Sequence, residues 1–448
     1  MSKDEFRNHL CGRLIPFWEN LRDDQHGGYY GWMDAQLTVD RKAVKGCILN
    51  SRILWFFSNA SLCLQKAEGE QGNPADADSL KGYADWAYRF LRDRCMDSER
   101  GGVYWSLDYT GQPEDTTKHT YNQAFAVYAL SSCFRAYHDR EALALAESLI
   151  EVIETKCFDE HGYKEALDIE FCPVANDKLS ENGVMADRTM NTLLHILEAY
   201  TEYLLACGEL KKEGSTDGAV VEQADKTSGE KFSLGIAGSG RAVSSVGTKE
   251  RIVREKLHWI LNLVAEHVYN PKLHRQEVFF NLNMESLIDL HSYGHDIEAA
   301  WLMDRCLETL GEKSLTEKMS PILRSLENEV YEKAYKNHSL ANECERGTVD
   351  EKRVWWVQAE GVVGFYNAYQ KTEESRYLEA SEDIWGFIQE HLVDKRPEGE
   401  WFWYTDASGR PALEKPIVEP WKCPYHNGRM CMEIMKREKE IGLEKERL

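Results

Sequence analysis

The sequence predicts an all-α protein, an (α/α)6 barrel in which six helical hairpins form a closed ring and short β-hairpins lie in the rim loops. A helical hydrophobic period runs along nearly the whole chain, and a glycine-rich segment recurs after about sixty residues at a time. The chain has 448 residues, of which 42% are hydrophobic and 29% charged, so it can bury one large core. We therefore expect a single barrel domain over residues 1–448.

The helical period is clear in "SLKGYADWAYRFL", where apolar residues from Leu80 to Leu91 recur every three or four positions. The segments "SRILWFFSNASLCL", "QAFAVYALSSCF" and "VVGFYNAYQ" are apolar on more than one face, which predicts helices buried on both sides. Strand-like alternation is short and is confined to glycine-rich segments. We expect the buried helices to line a cavity and the loops to form its rim.

The glycine-rich segments share one pattern: an acidic turn, then glycine, then alternating aromatic residues. This pattern is typical of a short hairpin that joins two helices. Clear examples are "DDQHGGYYGWMD" near Gly28, "DSERGGVYWSLD" near Gly102, "DEHGYKEALD" near Gly162 and "RPEGEWFWYTD" near Gly399, with weaker counterparts at 271–284 and 335–347. About six such units close naturally into a barrel of helical hairpins.

Residues 208–250 differ from the rest of the chain. They contain eight glycines together with serines, threonines and charged residues, and only isolated apolar residues. Such a composition buries too little apolar surface to offset the entropy lost on ordering. We predict a flexible surface insertion between two helices, with a small accessory hairpin as the alternative.

Charge and composition limit the function classes. The formal net charge of −22 disfavours nucleic acid and anionic membrane surfaces as partners. No apolar run approaches the roughly 18 to 20 residues that span a bilayer, and "MSKDEFRNHL" lacks the layout of a secretory signal. Twelve cysteines without a C-x-x-C pair favour reduced thiols over a zinc ribbon. We expect a cytoplasmic monomer.

Three of the fourteen histidines lie in distinctive contexts. His295, in "SYGHDIEAAWLM", opens an apolar helix and has Glu298 three residues later on the same face. His426, in "EPWKCPYHNGRM", lies between a loop and a helix, and His195, in "RTMNTLLHILEAY", lies on an apolar helix. A polar stripe on that helix consists of Asn191, His195 and Glu198.

Each histidine also has a purely structural interpretation as a hydrogen-bonded core residue. Metal binding by His291 and His295, four residues apart, is a further alternative. The intervening "SYG" spans the expected helix start, so the two side chains need not share a face, and the sequence offers no evident third ligand.

Other residues suit a sugar site. Arg52 is a permanent cation among apolar residues and needs an acceptor or an open cavity. Tyr121, Trp355 and Trp421 offer faces for the apolar sides of pyranose rings, while Glu360 offers acceptors for hydroxyl groups. For any single tryptophan the alternative is core packing.

Eight motifs resemble one known family in order over about residues 5–440: "GGYYGWMD", "SRILWFFSNA", "GGVYWSLD", "KHTYNQAFAVYALS", "TMNTLLHILEAYTE", "SYGHDIEAAWLM", "RVWWVQAE" and "GEWFW…WKCPYHNGRM". They are similar to cellobiose 2-epimerases, members of the N-acylglucosamine 2-epimerase superfamily, whose fold is the (α/α)6 barrel. One departure is Leu193, where many relatives carry a second histidine in "NTHLH". That histidine is distinct from His195, whose assignment it leaves intact.

The resemblance implies reversible inversion of C2 in the reducing-end glucose of β-1,4-linked disaccharides such as cellobiose, mannobiose and lactose, without a cofactor or a metal. It implies that His295 and His426 form the acid/base pair and that His195 assists ring opening. It further implies that the residues contacting or tuning the sugar are Arg52, Tyr121, Asn191, Glu298, Trp355, Glu360 and Trp421.

The chemistry explains why two histidines are needed. Only the open-chain aldehyde acidifies the C2–H, and inversion requires removal of a proton from one face and its return to the other. Histidine suits both roles because its ordinary pKa lies near neutral pH. We expect Glu298 to orient His295 and raise its basicity, and Arg52 to stabilise the enediolate oxygen.

Three other functions remain open from the sequence. A non-catalytic sugar-binding barrel would use the histidines only as hydrogen-bonding groups. A glycoside hydrolase of the same fold would need a carboxylate pair, for which the chain has many candidates. An N-acylglucosamine 2-epimerase or a mannose isomerase of the same superfamily is the third alternative.

Overall fold

The computed structural model describes residues 1–68, 74–176, 178, 182–224 and 239–445. Over these residues the chain forms thirteen α-helices, and from α3 onwards mostly buried helices alternate with helices that keep an exposed face. In chain order they are α1 Lys3–His9, α2 Ile15–Glu19, α3 Cys47–Glu68, α4 Pro74–Phe90, α5 Thr120–Tyr137, α6 Arg140–Val152, α7 Met190–Ala224, α8 Ser239–Leu263, α9 Tyr293–Leu310, α10 Lys313–Ala334, α11 Trp355–Thr372, α12 Ser375–Phe387 and α13 His426–Lys445.

The odd-numbered helices from α3 to α13 form an inner ring. Each contacts the next one in the chain, and α13 packs against α3, which closes the ring. An outer helix packs on each inner helix: α4 on α3, α6 on α5, α8 on α7, α10 on α9, α12 on α11 and α1 on α13. The predicted (α/α)6 barrel is confirmed.

The two layers have the sequence patterns that their burial requires. Helix α5 is buried at every position from Thr120 to Phe134, as expected for a segment that is apolar on all sides. The outer helix α6 begins at a cap, because the Asp139 side chain accepts hydrogen bonds from the backbone N–H groups of Glu141 and Ala142. It buries one stripe only, formed by Ala142, Leu143, Ala146, Leu149 and Ile150.

Short strands lie in the loops between the helices. They are β1 Lys45–Gly46, β2 Ser106–Leu107, β3 Pro113–Asp115, β4 Phe158–Asp159, β5 Gly162–Tyr163, β6 Arg188–Thr189, β7 Tyr269–Asn270, β8 Arg275–Gln276, β9 Phe279–Phe280, β10 Leu290–Ser292, β11 Tyr335–Lys336, β12 Ser339–Leu340, β13 Glu343–Glu345, β14 Thr348–Asp350, β15 Arg353–Val354 and β16 Tyr404–Thr405. All of the pairings between these strands are antiparallel.

The predicted hairpins are present at every expected position in the described chain. Antiparallel pairing joins Arg22 to Tyr29, Met96 to Val103, β4 to β5, β7 to β8, β11 to β12 and Val393 to Trp401. At the first turn Gly28 has φ +66°, a left-handed conformation that favours glycine. The sixfold recurrence of this hairpin confirms the internal repeat.

A buried ion pair ties the first hairpin to the inner helix that follows. Lys45, just before α3, donates to Asp23 at 2.6 Å, and both side chains are fully buried. The Asp23 carboxylate also accepts from the backbone N–H groups of Gln25 and His26 in the turn. Equivalent pairs are Lys118–Asp97 at 2.9 Å, Arg188–Asp159 at 2.7 Å and Lys422–Glu400 at 2.6 Å. These pairs fix where the inner helices begin.

One stretch of α3, Cys47–Gln65, is long and apolar enough to cross a membrane by length and composition alone. The expectation that no run of this kind exists is therefore wrong for this stretch. As an inner helix it is 78% buried within the barrel, which accounts for its apolar composition.

The predicted insertion at 208–250 lies between α7 and α8. Helix α7 continues to Ala224 and α8 begins at Ser239, so the backbone is helical over 208–224 and 239–250. Residues 225–238 lie outside the described residues. The flexibility of this segment stays a prediction.

Candidate active site

A cavity of about 220 Å³ opens at the N-terminal ends of the inner helices. Nine of the ten residues selected from the sequence line it: Arg52, Tyr121, Asn191, His195, His295, Glu298, Trp355, Trp421 and His426. The tenth, Glu360, lies directly behind His426. The fold therefore brings the predicted site residues together.

The repeat explains this convergence. Inner helices separated by antiparallel outer helices all run in the same direction, so their first turns meet around one opening. Arg52, His195, Glu298 and Glu360 are each the sixth residue of an inner helix, and they form one polar layer below that opening. Helix N-termini carry partial positive charge and favour anions, which suits a reaction that develops negative charge.

His426, the first residue of α13, is held by a carboxylate. Its Nδ1 lies 2.8 Å from Oε1 of Glu360, and Trp301 donates its indole N–H to the other oxygen of Glu360 at 3.0 Å. The ring is 8% exposed. Burial and the nearby Arg429 guanidinium hold the pKa of His426 well below its usual range, so the imidazole is neutral at neutral pH.

His295, the third residue of α9, is held by a hydroxyl group. Its Nδ1 lies 2.7 Å from Oγ of Ser292, and its ring centroid is 4.7 Å from that of Trp356. Burial, reinforced by His195, lowers the pKa of His295 to about 3. Gly294 makes the tryptophan contact possible, because a Cβ there would lie 2.6 Å from the Trp356 ring.

The prediction that Glu298 orients His295 is wrong. The two side chains share a face of α9, but Glu298 accepts a hydrogen bond from the Arg429 guanidinium on α13, while His295 pairs with Ser292. A permanently charged donor forms a stronger hydrogen bond to a buried carboxyl oxygen than a neutral imidazole does, so the distant arginine prevails over the local histidine.

His195, on α7, is paired within its own helix. Its Nδ1 lies 2.9 Å from Oε2 of Glu198, as the polar stripe in the sequence suggested. Burial lowers the pKa of His195, although Glu198 partly opposes this effect. The Tyr121 ring meets the imidazole edge-on at 5.0 Å, and Asn191 lies one turn earlier, with an Oδ1 atom that has no protein partner in the described chain.

The three site histidines share one arrangement. Each makes its hydrogen bond through Nδ1, and among the described residues none has a hydrogen bond through Nε2. A Nδ1–H donated to Glu198 or Glu360 leaves Nε2 of His195 or His426 unprotonated, as a base requires. The Ser292 hydroxyl can either accept or donate, so it permits both tautomers of His295.

Arg52 is surrounded by neutral groups. Its guanidinium donates to the Tyr121 hydroxyl at 2.8 Å and to the backbone carbonyl of Trp421 at 3.3 Å. The rings of Phe125 and Tyr425 lie 4.1 and 4.6 Å from its Cζ. No described carboxylate lies within ion-pair distance, so its positive charge is available to an anionic ligand.

Arg429 is the main site residue that the sequence argument missed. It lies one turn after His426 on α13 and is 1% exposed. Its guanidinium donates to three buried carboxylates: Glu198, Glu298 and Glu360. We call these four residues the ionic cluster. The signal was present, because Arg429 is a lone cation in the apolar helix "NGRMCMEIM", as Arg52 is in α3.

Tryptophans form much of the cavity wall. The rings of Trp355 and Trp403 pack against each other at 4.8 Å, and Trp421 packs against Tyr121 at 5.8 Å. Trp356, which follows Trp355 in the same motif, contacts both His295, at 4.7 Å, and His426, at 5.5 Å. The two imidazoles are therefore neighbours around one indole.

Metal binding has little support in this geometry. Ligand atoms of Glu298, Glu360 and His426 lie within 4.8 Å of one another, but the Arg429 guanidinium already donates to both glutamates. In the pair weighed from the sequence, Nε2 of His291 is hydrogen-bonded to Asp296 at 2.9 Å and Nδ1 of His295 to Ser292, so each side chain has a partner within the protein.

A six-hairpin barrel whose cavity combines neutral histidines, tryptophan faces and a buried arginine that no described carboxylate pairs is suited to bind and transform a carbohydrate. The family model for N-acylglucosamine 2-epimerase matches residues 28–201 and 247–427, so it omits most of the predicted insertion. The chain belongs to the N-acylglucosamine 2-epimerase family and is a carbohydrate epimerase.

Individual relatives are similar over nearly their full length. The chain is 44% identical over 442 residues to a cellobiose 2-epimerase of Eubacterium cellulosolvens. The alignment covers 99% of this chain and 100% of that protein. Its structure matches that of a sugar epimerase from a ruminal bacterium with a TM-score of 0.84, 42% identity and coverage of 98% and 99%. It also matches cellobiose 2-epimerase from Bacillus thermoamylovorans B4167 with a TM-score of 0.82, 38% identity and coverage of 97% and 99%.

Proposed function

We propose that this enzyme is a cellobiose 2-epimerase that inverts C2 of the reducing-end glucose in β-1,4-linked disaccharides. Cellobiose would become glucosyl-mannose, and lactose would become epilactose. The observation that carries the proposal is the pair of imidazoles, His295 and His426, which line one cavity and contact the same Trp356 ring. The names of the similar proteins support the choice of substrate.

The reaction begins with the open-chain sugar. Ring opening gives an aldehyde at C1, and the carbonyl acidifies the C2–H enough for a neutral imidazole to remove it. His195 assists this step, because its Nε2 faces a cavity that also holds the two other histidines.

The two acid/base histidines have different partners and therefore different tasks. His295, beside a serine hydroxyl and without a carboxylate partner, is suited to act as the neutral base. His426 is neutral at rest, so its Nε2 first takes up a proton from solvent; the hydrogen bond to Glu360 stabilises the resulting imidazolium, which then gives this proton to the opposite face of C2. The reverse reaction uses the same pair with the roles exchanged.

The enediolate intermediate is stabilised from one side of the cavity. Arg52 carries a charge that no described carboxylate neutralises. Its guanidinium donates to the Tyr121 hydroxyl, and both side chains line the cavity. A preorganised cation of this kind stabilises developing negative charge more than it stabilises the neutral substrate.

The sugar rings are bound by aromatic faces and polar tips. Trp355 and Trp421 offer flat apolar surfaces, and Tyr121, Asn191 and Glu298 offer hydrogen-bonding groups in the same cavity. The buried indole N–H of Trp355 and Oδ1 of Asn191 lack protein partners in the described chain, so sugar hydroxyl groups can satisfy them. The mechanism needs no cofactor.

The decisive experiment incubates the purified enzyme with cellobiose, lactose, mannobiose, glucose and N-acetylglucosamine and separates the products. We expect epimers from the disaccharides. Conversion of N-acetylglucosamine would favour an N-acylglucosamine 2-epimerase, and fructose from mannose a mannose isomerase. Glucose released from cellobiose would indicate a hydrolase, and binding without any new product a binding protein.

The two-histidine scheme is tested in D₂O. We expect His295→Ala and His426→Ala each to abolish epimer formation. Because His295 acts as the neutral base, His426→Ala should still exchange deuterium into C2 of the starting glucose epimer. Wild-type turnover by either variant would contradict the scheme.

A further inference from the structure

The ionic cluster has an excess of negative groups. Glu198, Glu298 and Glu360 are 2%, 1% and 1% exposed, and all three share the single guanidinium of Arg429. The histidines that contact the cluster are neutral because burial lowers the pKa of each. Three ionised carboxylates around one cation would leave two uncompensated charges away from water. The cluster therefore retains a proton.

The hydrogen bonds of the cluster decide which glutamate holds this proton. Donors around a carboxylate favour its ionised form. Two of the glutamates have three such neighbours each: Arg429, Tyr425 and His195 surround Glu198, and Arg429, Trp301 and His426 surround Glu360. Both are therefore suited to remain ionised.

Glu298 has the opposite environment. Its Oε1 accepts from Arg429, and its Oε2 has no hydrogen-bond partner in the described part of the protein. Burial raises the pKa of Glu298, and the nearby Glu360 raises it further. The pKa of Glu198 is lowered instead, because Arg429 and the other donors outweigh the effect of burial there. Burial also raises the pKa of Glu360, but its three neighbours favour the carboxylate there. The proton therefore resides on Glu298.

Glu298 is also the member of the cluster that can reach a ligand. It is among the described residues that line the cavity, whereas Glu198 and Glu360 are not. We propose that Glu298 is a neutral carboxylic acid in the resting enzyme and that it donates the proton that opens the sugar ring. This inference rests on the proposed function, because it assigns the acid for the ring-opening step of that reaction.

The step balances with groups that line the same cavity. The carboxyl proton of Glu298 passes to the ring oxygen, which takes the electrons of the breaking bond to C1. The C1 hydroxyl loses its proton to the neutral Nε2 of His195, and the C1=O double bond forms. Arg429 then stabilises the Glu298 carboxylate, and Glu198 stabilises the imidazolium of His195. Ring closure reverses both transfers.

The test separates ring opening from epimerisation. With cellobiose as the substrate, magnetisation-transfer NMR measures the enzyme-catalysed exchange of anomers, and chromatography measures the epimer. Glu298→Gln preserves shape but cannot donate a proton, so we expect both rates to fall at least about 100-fold. His295→Ala should lose the epimer but retain measurable anomer exchange, because ring opening precedes C2 deprotonation.

A matched control is available on the outer helix α10. Glu327 is fully buried and paired with Arg324 at 2.9 Å, burial raises its pKa to about 8, and it is not among the cavity-lining residues. Glu327→Gln should therefore leave both rates at the wild-type level. Anomer exchange at the wild-type rate in Glu298→Gln would overturn the inference.

Folding gives an independent measurement. If Glu298 is neutral, Glu298→Gln exchanges one neutral group for another, so its melting temperature should stay close to that of the wild type. An infrared carbonyl band of a protonated carboxyl group should be present in the wild type and lost in this variant. Marked destabilisation, or an unchanged band, would show that Glu298 is ionised and would overturn the inference.

The outcomes also separate this inference from the proposed function. A wild-type enzyme that exchanges anomers of cellobiose but forms no epimer would contradict the proposed function alone, provided that Glu298→Gln loses the exchange. A wild-type enzyme that forms the epimer while Glu298→Gln keeps anomer exchange would contradict this inference alone. Wild-type enzyme that accelerates neither process would overturn both.

Discussion

Two buried arginines on neighbouring inner helices, Arg52 on α3 and Arg429 on α13, show how surroundings decide the use of a charge. Their Cζ atoms lie 4.6 and 4.2 Å from the ring centroid of Tyr425, so both pack against the same aromatic side chain. Beyond that ring their environments differ completely. Arg429 donates to the side chains of three glutamates, whereas Arg52 meets a phenol, a carbonyl, a thiol and aromatic faces.

The difference separates a cation that acidic residues surround from one that no described carboxylate pairs. The carboxylates around Arg429 satisfy its charge within the protein, and they in turn hold His195 and His426 in place. The charge of Arg52 is stabilised by aromatic rings and neutral acceptors, and no carboxylate in the described part of the chain pairs with it. We therefore propose that Arg52 stabilises the negative charge that forms during the reaction.

The largest expected effect is the loss of stability on replacing Arg429. Arg429→Met removes the cation that three buried glutamates share, so we expect the free energy of unfolding to fall by about 3–5 kcal/mol. Denaturant unfolding followed by circular dichroism measures this change. Arg410→Met, at a side chain that is 82% exposed, is the control and should shift stability by no more than about 0.5 kcal/mol. A variant as stable as the wild type would show that the cluster is not held by this cation.

The second prediction concerns Arg52, whose replacement should reduce activity strongly and stability only slightly. Arg52→Met leaves no carboxylate uncompensated, so stability should change by only about 1 kcal/mol, the value of the lost hydrogen bond to Tyr121. The rate of epimer formation should fall about 10²–10³-fold because the enediolate loses its cation. Steady-state kinetics should show the loss mainly in kcat. If Arg52→Met unfolds readily and the remaining folded protein is fully active, the distinction between the two arginines is wrong.

The fold could be predicted because its signals are local and repeated. The helical period of segments such as "QAFAVYALSSCF" needs no knowledge of distant contacts, and the hairpin pattern near Gly28 recurs once per repeat. The convergence of Arg52, His195, His295 and His426 follows from the same repeat, since each lies in the first turns of an inner helix.

The pairing of buried charges could not be predicted in the same way. Spacing along α9 favoured a contact between His295 and Glu298, but Arg429, which comes 131 residues after Glu298, occupies that carboxylate. Sequence spacing ranks neighbours on one helix, whereas the free energy of a buried charge depends on whichever donor the closed ring brings near it. The same limit left Ser292 unrecognised as the partner of His295.

The smallest of the predicted effects is the loss of stability at acidic pH that His295 causes. It is tested by comparing variants of His295 and of its hydrogen-bond partner, Ser292. Because the folded-state pKa of His295 is about 3 and that of an unfolded histidine about 6.5, the unfolded chain binds more protons between these values. Stability is therefore lost as pH falls through this window, by about 2 kcal/mol between pH 7 and pH 5 for one such group. His295→Asn should remove this share of the acid sensitivity in unfolding measured at both pH values.

Ser292→Ala provides the comparison for this last prediction, because it removes the hydrogen bond to His295 and keeps the imidazole. The ring keeps its surroundings, and their desolvation of the imidazole is the main cause of its lowered pKa, so this variant should be as sensitive to acid as the wild type. Equal acid sensitivity in His295→Asn and the wild type would show that the imidazole is not held neutral. A loss of acid sensitivity in Ser292→Ala would instead assign the shift to the hydroxyl group rather than to burial.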